Sequence, residues 1–388
     1  MPNDRDALIT GIGLVSCLGS GIDATWTALR DFRPVVDADS FPPFLVHPLA
    51  PLDLDKQIPK RGDQRQMEAW QRMGVFAAGL ALESAGLKGN ADLLGKMDMI
   101  VAAGGGERDY AVDAAILSGY PKQDNPGAWL NERLLSDLRP TLFLAQLSNL
   151  LAGNISIVHG VTGSSRTFMG EESCGADAIR IACARIAAGQ GDIVLVGGSY
   201  NAQRPDVLLH YEMGGLLRRT PFAGVWERQQ DGPGMILGSV GCFLVIESRR
   251  GAAARGVTPF AHVAGIRTDR CRRDPGQATA NARAQLAELG PADAVISAAS
   301  GASAPTREEA AFLAELGLPV RALATAMGHS LEPAFPAAVA VAALAVSHGT
   351  LFPPLEAAEA ATTSPLRGAL VTGWGHWRGE AMALVETA

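Results

Sequence analysis

Short runs of β-branched and aliphatic residues recur along the chain, each ending in glycine or another small residue. The first series is ALITGIGLVS, DMIVAAGGG, DIVLVGGS and CFLVIES; a second follows as FAHVAGI, DAVISAAS, VRALATAM, GALVTGWG and AMALVET. Between them lie segments with apolar residues at helical spacing, among them MGVFAAGLALESAGL, LAQLSNLLAGNIS, GADAIRIACARIAAG, ANARAQLAEL and PAAVAVAALAVSHG. Strand runs alternating with helical ones predict βαβ units, and hence largely parallel sheets buried on both faces. The two series read as one plan used twice, joined near SRRGAAARGVTP. That divides the chain into an N-terminal half, 1–250, and a C-terminal half, 251–388. The Pro- and Asp-rich stretch at about 30–65 and the stretch at 107–140 read as surface caps.

One segment carries a chemical signal. GSSRTFMGEESCGADAIR, residues 163–180, reads as a strand passing through a tight turn into a helix, where many enzymes hold a nucleophile. Here the turn holds Glu171 and Glu172, with Cys174 just behind.

Composition narrows the classes. The chain has 388 residues, 47% hydrophobic and 19% charged, with 44 glycines, which suits a compact α/β protein with a large core. A net charge of −7 leaves no basic stripe for phosphates, so a nucleic-acid partner is not expected. The basic runs ESRRGAAARG and RTDRCRR read as solvated faces, or as a landing surface for an acidic carrier protein. Five cysteines (17, 174, 183, 242 and 271) lack CxxC spacing, which points to a reducing, cytoplasmic setting. The opening MPNDRDALITGIG has no signal-peptide core, and AFPAAVAVAALAV is too short to span a membrane and reads as a buried helix. No histidines show metal-ligand spacing, so neither a metal nor another cofactor is expected.

Taken in order, several segments resemble the β-ketoacyl-ACP synthases. LITGIGLVSCLGSG is similar to their opening strand and turn, and NLLAGNISIVHGVTG to the helix and loop before their active-site strand. DGPGMILGSVGCFLVIE resembles the close of their first half, AMGHSLEPAFPAAVAVAALA their Gly-His helix entry, and VTGWGHWRGEAMALV their final glycine-rich loop. The resemblance runs from about residue 7 to 386. It implies a thiolase-like α/β fold: two pseudo-duplicated βαβαβαββ halves in α-β-α-β-α layers.

In that family a cysteine at the strand-to-helix turn is acylated, and two histidines assist decarboxylation and condensation. A thiol at a helix N-terminus ionises readily, and imidazole donors stabilise the developing oxyanion. Carried over by register, the cysteine's slot falls on Glu172, counted from Asn149 or from Gly189. The first histidine's slot, in SGASAP, holds Ser300, and the lysine slot falls on Ala324. Only the second histidine survives, as His329. The final loop reads GWGH, which places Trp374 and His376 at a pocket gate, with core packing the other reading of Trp374. Cys174 would be the nucleophile only under a slipped register; otherwise it packs as a small residue.

A family member without its Cys-His-His set resembles the chain-length factors, which pair with an active ketosynthase in fatty-acid or polyketide elongation on an acyl carrier protein. That resemblance implies pairing through SSRTFM, in a heterodimer or with a second copy, and places Leu142 and Phe143 at the partner's acyl tunnel. Two alternatives are a malonyl-ACP decarboxylase and a homodimeric protein that binds acyl chains or carriers.

Overall fold

The computed structural model describes residues 3–107, 109–138, 144–219 and 221–388. Its first five long strands are β1 (Ala7–Ser16), β2 (Asp98–Ala102), β3 (Ser165–Phe168), β4 (Ile193–Tyr200) and β5 (Val240–Ser248). Five more follow: β6 (Ala261–Asp269), β7 (Ala294–Ser297), β8 (Val320–Ala322), β9 (Gly368–Trp374) and β10 (Glu380–Glu386). Both sets run laterally in the order first, fifth, fourth, second, third. In both, the fifth strand is antiparallel to its neighbours and the remaining pairs are parallel. The two series read from the hydrophobic pattern are therefore one topology used twice. Their first strands meet at Leu8↔His262 and Ile9↔Ala261, which joins the two sets.

Helices α1 (Ala69–Ser84), α2 (Leu150–His159), α3 (Glu171–Ala187), α4 (Gln277–Ala287), α5 (Ser303–Leu316) and α6 (Ala334–His348) complete the frame. Both α3 and α6 touch strands of both halves, so they form the central layer. Every residue of α6 from Ala334 to Val346 is buried, as a helix that is apolar all round must be. Its many alanines allow the close approach. Helix α1 covers β1, β4 and β5 on one outside, while α4 and α5 cover β10 and β9 on the other. The result is the layered α-β-α-β-α arrangement expected of a thiolase-like fold. Contact between α1 and β1 is tight: a Cβ on Gly13 would stand 1.9 Å from the carbonyl oxygen of Ala77, so only glycine fits.

Within 30–65, a two-residue strand at Val46–His47 pairs with Leu237–Gly238 and carries His47 into the interior. Within 107–140, helices at Tyr110–Gly119 and Pro126–Ser136 leave Leu117 and Leu135 exposed. VRALATAM, read as a strand, is extended only at Val320–Ala322 and then turns helical over Leu323–Met327. All five cysteines are free thiols. Among the described residues, no helix is long and apolar enough to cross a membrane.

Candidate functional site

The strand-turn-helix expected at 163–180 is present. After β3 the chain turns through Gly170, at φ 140°, and Glu171, at φ 55°, into α3. A non-glycine residue at such a φ is strained, at about 1–3 kcal/mol, and such strain gathers at functional sites. The turn thus keeps the form of a nucleophile elbow.

Glu172 occupies the first turn of α3 and is 7% exposed. Its Oε1 accepts three hydrogen bonds: from His329 Nε2 at 2.8 Å, from the backbone N–H of His376 at 2.9 Å, and from His376 Nδ1 at 2.8 Å. A carboxylate has nothing to donate, so both ring nitrogens must carry protons. Burial pushes the Glu172 carboxyl up, but the hydrogen bonds and charge of the two imidazoles outweigh it and hold the carboxyl well below its usual range. Conversely, burial lowers His376, and the Glu172 hydrogen bond and charge, with Glu171 added, lift it above its ordinary value. A buried, ionised carboxylate at a helix N-terminus is electrostatically well placed. It is a poor nucleophile, and it holds no thiol to carry a thioester.

Cys174 is no substitute. It is buried, and its Sγ donates to the carbonyl of Glu171 at 2.9 Å. Burial first, then the charges of Glu332, Glu172 and Asp177, push its thiol well above the ordinary value, so no thiolate forms there.

The other positions carried over from the family divide sharply. His329 joins Glu172. Ser300 does not: its Oγ accepts the N–H of Ala302, and its carbonyl accepts from Arg228 Nη2 at 3.3 Å. Ala324 lies in an apolar cluster with Val225, Ala299 and Ala322. Trp374 requires a correction, because it is no pocket gate. Its indole is 1% exposed and packs on Phe312, with ring centroids 6.0 Å apart. Alternation along β9 explains this: Ala369 and Val371 face the central core, while Leu370 and Trp374 face the outer helices. His376 is likewise an anchor of Glu172 in place of a gate. Leu142 and Phe143 lie outside the described residues.

Two groups escaped the sequence reading. Glu332, three residues after His329, lines a cavity of about 580 Å³ beside the elbow. Arg228 is fully buried against the Ser300 turn, and burial pushes its guanidinium down to about 9. A Cβ on Gly301 would stand 2.1 Å from its Nη2, and that glycine in SGASAP was the available signal. The expectation of no metal rested on local spacing, which is blind to residues this far apart. Ligand atoms of Glu172, His329 and His376 all lie within 4.8 Å of one another, a donor set that suits a divalent cation. In this geometry Glu172 Oε1 accepts from both rings, while Glu172 Oε2 and His329 Nδ1 are buried with no hydrogen-bond partner among the described residues.

A duplicated sheet around a central helix pair, with an elbow feeding the first of those helices, is the architecture of the thiolase-like class. The family profile "Beta-ketoacyl synthase, N-terminal domain" matches residues 4–251, and the chain belongs to the β-ketoacyl synthase family. It is 24% identical over 273 residues to 3-oxoacyl-[acyl-carrier-protein] synthase 2 of Vibrio cholerae, which covers 68% of this chain but only 62% of that relative. To the oxytetracycline polyketide putative beta-ketoacyl synthase 1 of Streptomyces rimosus it is 26% identical over 385 residues, 90% of this chain and 86% of that one. The solved ishigamide ketosynthase/chain length factor superposes with a TM-score of 0.81 at 20% identity, covering 99% of each chain.

Proposed function

We propose that this chain is a non-condensing ketosynthase-fold subunit that pairs with an active β-ketoacyl synthase in fatty-acid or polyketide elongation on an acyl carrier protein, in a reducing, cytoplasmic setting. One observation carries the reading: Glu172, which the resemblance puts in the nucleophile's slot, is a buried carboxylate held ionised, and His329 donates to it. Condensation needs a thiolate at that point and free imidazole donors around it. Neither is available.

Pairing is supported by the sheet edge. Among the described residues, strand β3 is the last in its sheet, and no described strand pairs with its outer side. Ser165 and Arg166 on it are exposed, and nearby stand the exposed apolar side chains of Ile157 and Met169. An open edge flanked by apolar surface is a liability unless another chain covers it. Co-expression with an intact Cys-His-His synthase, followed by size exclusion and subunit mass analysis, tests the reading. A stable one-to-one heterodimer is expected. A homodimer that refuses the synthase, or condensation by this chain alone, would overturn it.

A further inference from the structure

The three side chains that meet at the head of α3 are each held in place by their own segment. Glu172 sits on the first turn of the helix. His329 is pinned through its backbone: its N–H donates to the Ile236 carbonyl at 2.8 Å, and its carbonyl accepts from the Gly238 N–H at 2.9 Å. The N–H of His376 donates to Glu172 Oε1 at 2.9 Å and keeps the final loop beside them. Two imidazole nitrogens, His329 Nε2 and His376 Nδ1, each stand 2.8 Å from Glu172 Oε1. One ligand atom from each residue lies within 4.8 Å of the other two. A zinc ion holds nitrogen and oxygen ligands at about 2.0–2.2 Å, which sets tetrahedral neighbours about 3.3 Å apart. Widening the two contacts by roughly half an ångström admits such an ion between them.

The surroundings favour a cation. Glu172 Oε2 is buried with no hydrogen-bond partner among the described residues. An anionic oxygen without a donor is costly to bury, and an ion shared by both oxygens of the carboxylate removes that cost. His376 Nε2 lies 3.8 Å from Glu171 Oε1, the carboxylate–histidine relation that orients a metal-binding ring and fixes its tautomer. With Nδ1 on the ion, Nε2 carries the ring proton toward Glu171. At His329 the buried Nδ1 has no partner among the described residues and is free to carry the proton that Nε2 gives up. Glu171 and Tyr211 line the cavity beside the elbow, and the Tyr211 ring packs edge-on against His376, with centroids 5.4 Å apart. The triad thus stands one side chain away from a space large enough for a hydrated ion. Two nitrogen donors among three select a transition cation over magnesium and calcium, which take oxygen ligands.

We propose that Glu172, His329 and His376 form a binding site for a divalent transition cation, zinc above all, in which the protein supplies three ligands and water the fourth. The site stands or falls independently of pairing with a synthase. Full-length protein, freed of metal by dialysis against a chelator, is titrated calorimetrically with zinc chloride. One ion per chain should bind, with a Kd on the order of 1 μM or tighter, and magnesium or calcium in millimolar excess should not displace it. Cobalt(II) in place of zinc should show the intense visible absorption of a four-coordinate ion rather than the weak bands of an octahedral one. His376→Ala and Glu172→Gln should abolish binding, and Glu171→Gln should weaken it about tenfold. His210→Ala, which removes an exposed histidine on the same cavity, should leave it unchanged. Circular dichroism checks that each variant is folded. If both ligand variants fail to fold, the parent's cobalt spectrum decides, and octahedral bands overturn the site. A parent protein that takes up no zinc at about 100 μM would overturn the proposal, as would zinc binding lost with His210→Ala and kept with His376→Ala.

Discussion

His376 grips Glu172 twice through the same carboxylate oxygen, once with its backbone N–H at 2.9 Å and once with Nδ1 at 2.8 Å. The final glycine-rich loop is thereby fastened to the start of α3, 204 residues earlier in the chain. His329 supplies the third donor to that oxygen, so Glu172 staples together three distant segments of the chain.

Breaking that staple should destabilise the protein. Glu172→Ala leaves three buried donors without an acceptor, and hydrogen bonds to charged groups contribute about 1.5–3 kcal/mol each. A loss on the order of 3 kcal/mol is expected in urea unfolding at pH 6. Glu172→Gln, which keeps an acceptor oxygen, should lose about half as much. Equal stability of Glu172→Ala and the parent would show that the contacts contribute nothing.

The staple's pH dependence follows from the signs of its shifts. Glu172 is depressed in the folded state, so its contribution is present above its unfolded value of 4.5 and is lost as pH falls through the folded one. His376 is raised, so its contribution is complete below its unfolded value of 6.5 and is lost as pH rises through the folded one. The stability gap between the parent and His376→Ala should therefore be widest between about pH 5 and 6.5 and narrower at pH 9. Urea titrations at pH 6 and pH 9 read it directly, and a gap that widens with pH would reverse the assignment.

Glu332 should behave in the opposite sense. Its folded-state value of about 8 against an unfolded 4.5 means that the unfolded chain releases a proton which the folded chain keeps. Stability is lost as pH rises from 4.5 and the loss is complete above about 8. At about 1.4 kcal/mol per pH unit, Glu332→Gln should be on the order of 4 kcal/mol more stable than the parent at pH 8 and no more stable at pH 4.5. Thermal melts across that range check it, and a pH-independent difference would refute it.

The absent nucleophile is tested by chemistry. Incubation with acyl-ACP, acyl-CoA or cerulenin should leave the intact mass unchanged, because Cys174 is buried and its thiol is held protonated. Stoichiometric labelling of Cys174 would restore the slipped register. On the proposed register, which puts Ser300 and Ala324 in the histidine and lysine slots, Glu172→Cys should not recover condensation either. Each acid-base group contributes roughly 10²–10⁴-fold, so one repaired residue is insufficient. Turnover by that single variant without a partner would defeat this argument.

Much of this was legible in the sequence because it is local. Alternating strand and helix runs fix the repeated topology, and the strand-turn-helix pattern of 163–180 puts Glu172 on the first turn of α3. Convergence was not legible. Nothing along the chain shows that His376 reaches Glu172, because contact between the final loop and the elbow arises only when both central helices are packed. Glu332 hides for the same reason, since its protonated state comes from burial and from the charges of distant glutamates. Trp374 is different. Two-residue alternation along GALVTGW puts Leu370 and Trp374 on one face and Ala369 and Val371 on the other, a signal the sequence contained and that the loop resemblance obscured.

Backbone parity also supplies a surgical test of pairing. The carbonyls of Ser164 and Phe168 accept from Met99 and Ala103 of the neighbouring segment, so even-numbered residues of β3 direct their backbone groups inward. In a parallel ladder the intervening residues point the other way, and the N–H groups of Ser165 and Thr167 therefore face the open edge. Thr167→Pro removes one outward donor while sparing the internal ladder, and proline is tolerated on edge strands. Met99, whose N–H donates to the Ser164 carbonyl in that ladder, should keep its slow amide exchange. Loss of the donor and the bulk of the ring against a partner strand should weaken the heterodimer by about 10–100-fold. Arg166→Ala, which shortens a side chain without touching the edge backbone, should weaken it far less. Analytical ultracentrifugation of both variants with the partner synthase separates the cases, with exchange at Met99 as the control for folding. A heterodimer indifferent to Thr167→Pro, formed by a chain whose β2 remains protected, would show that β3 is not the pairing edge.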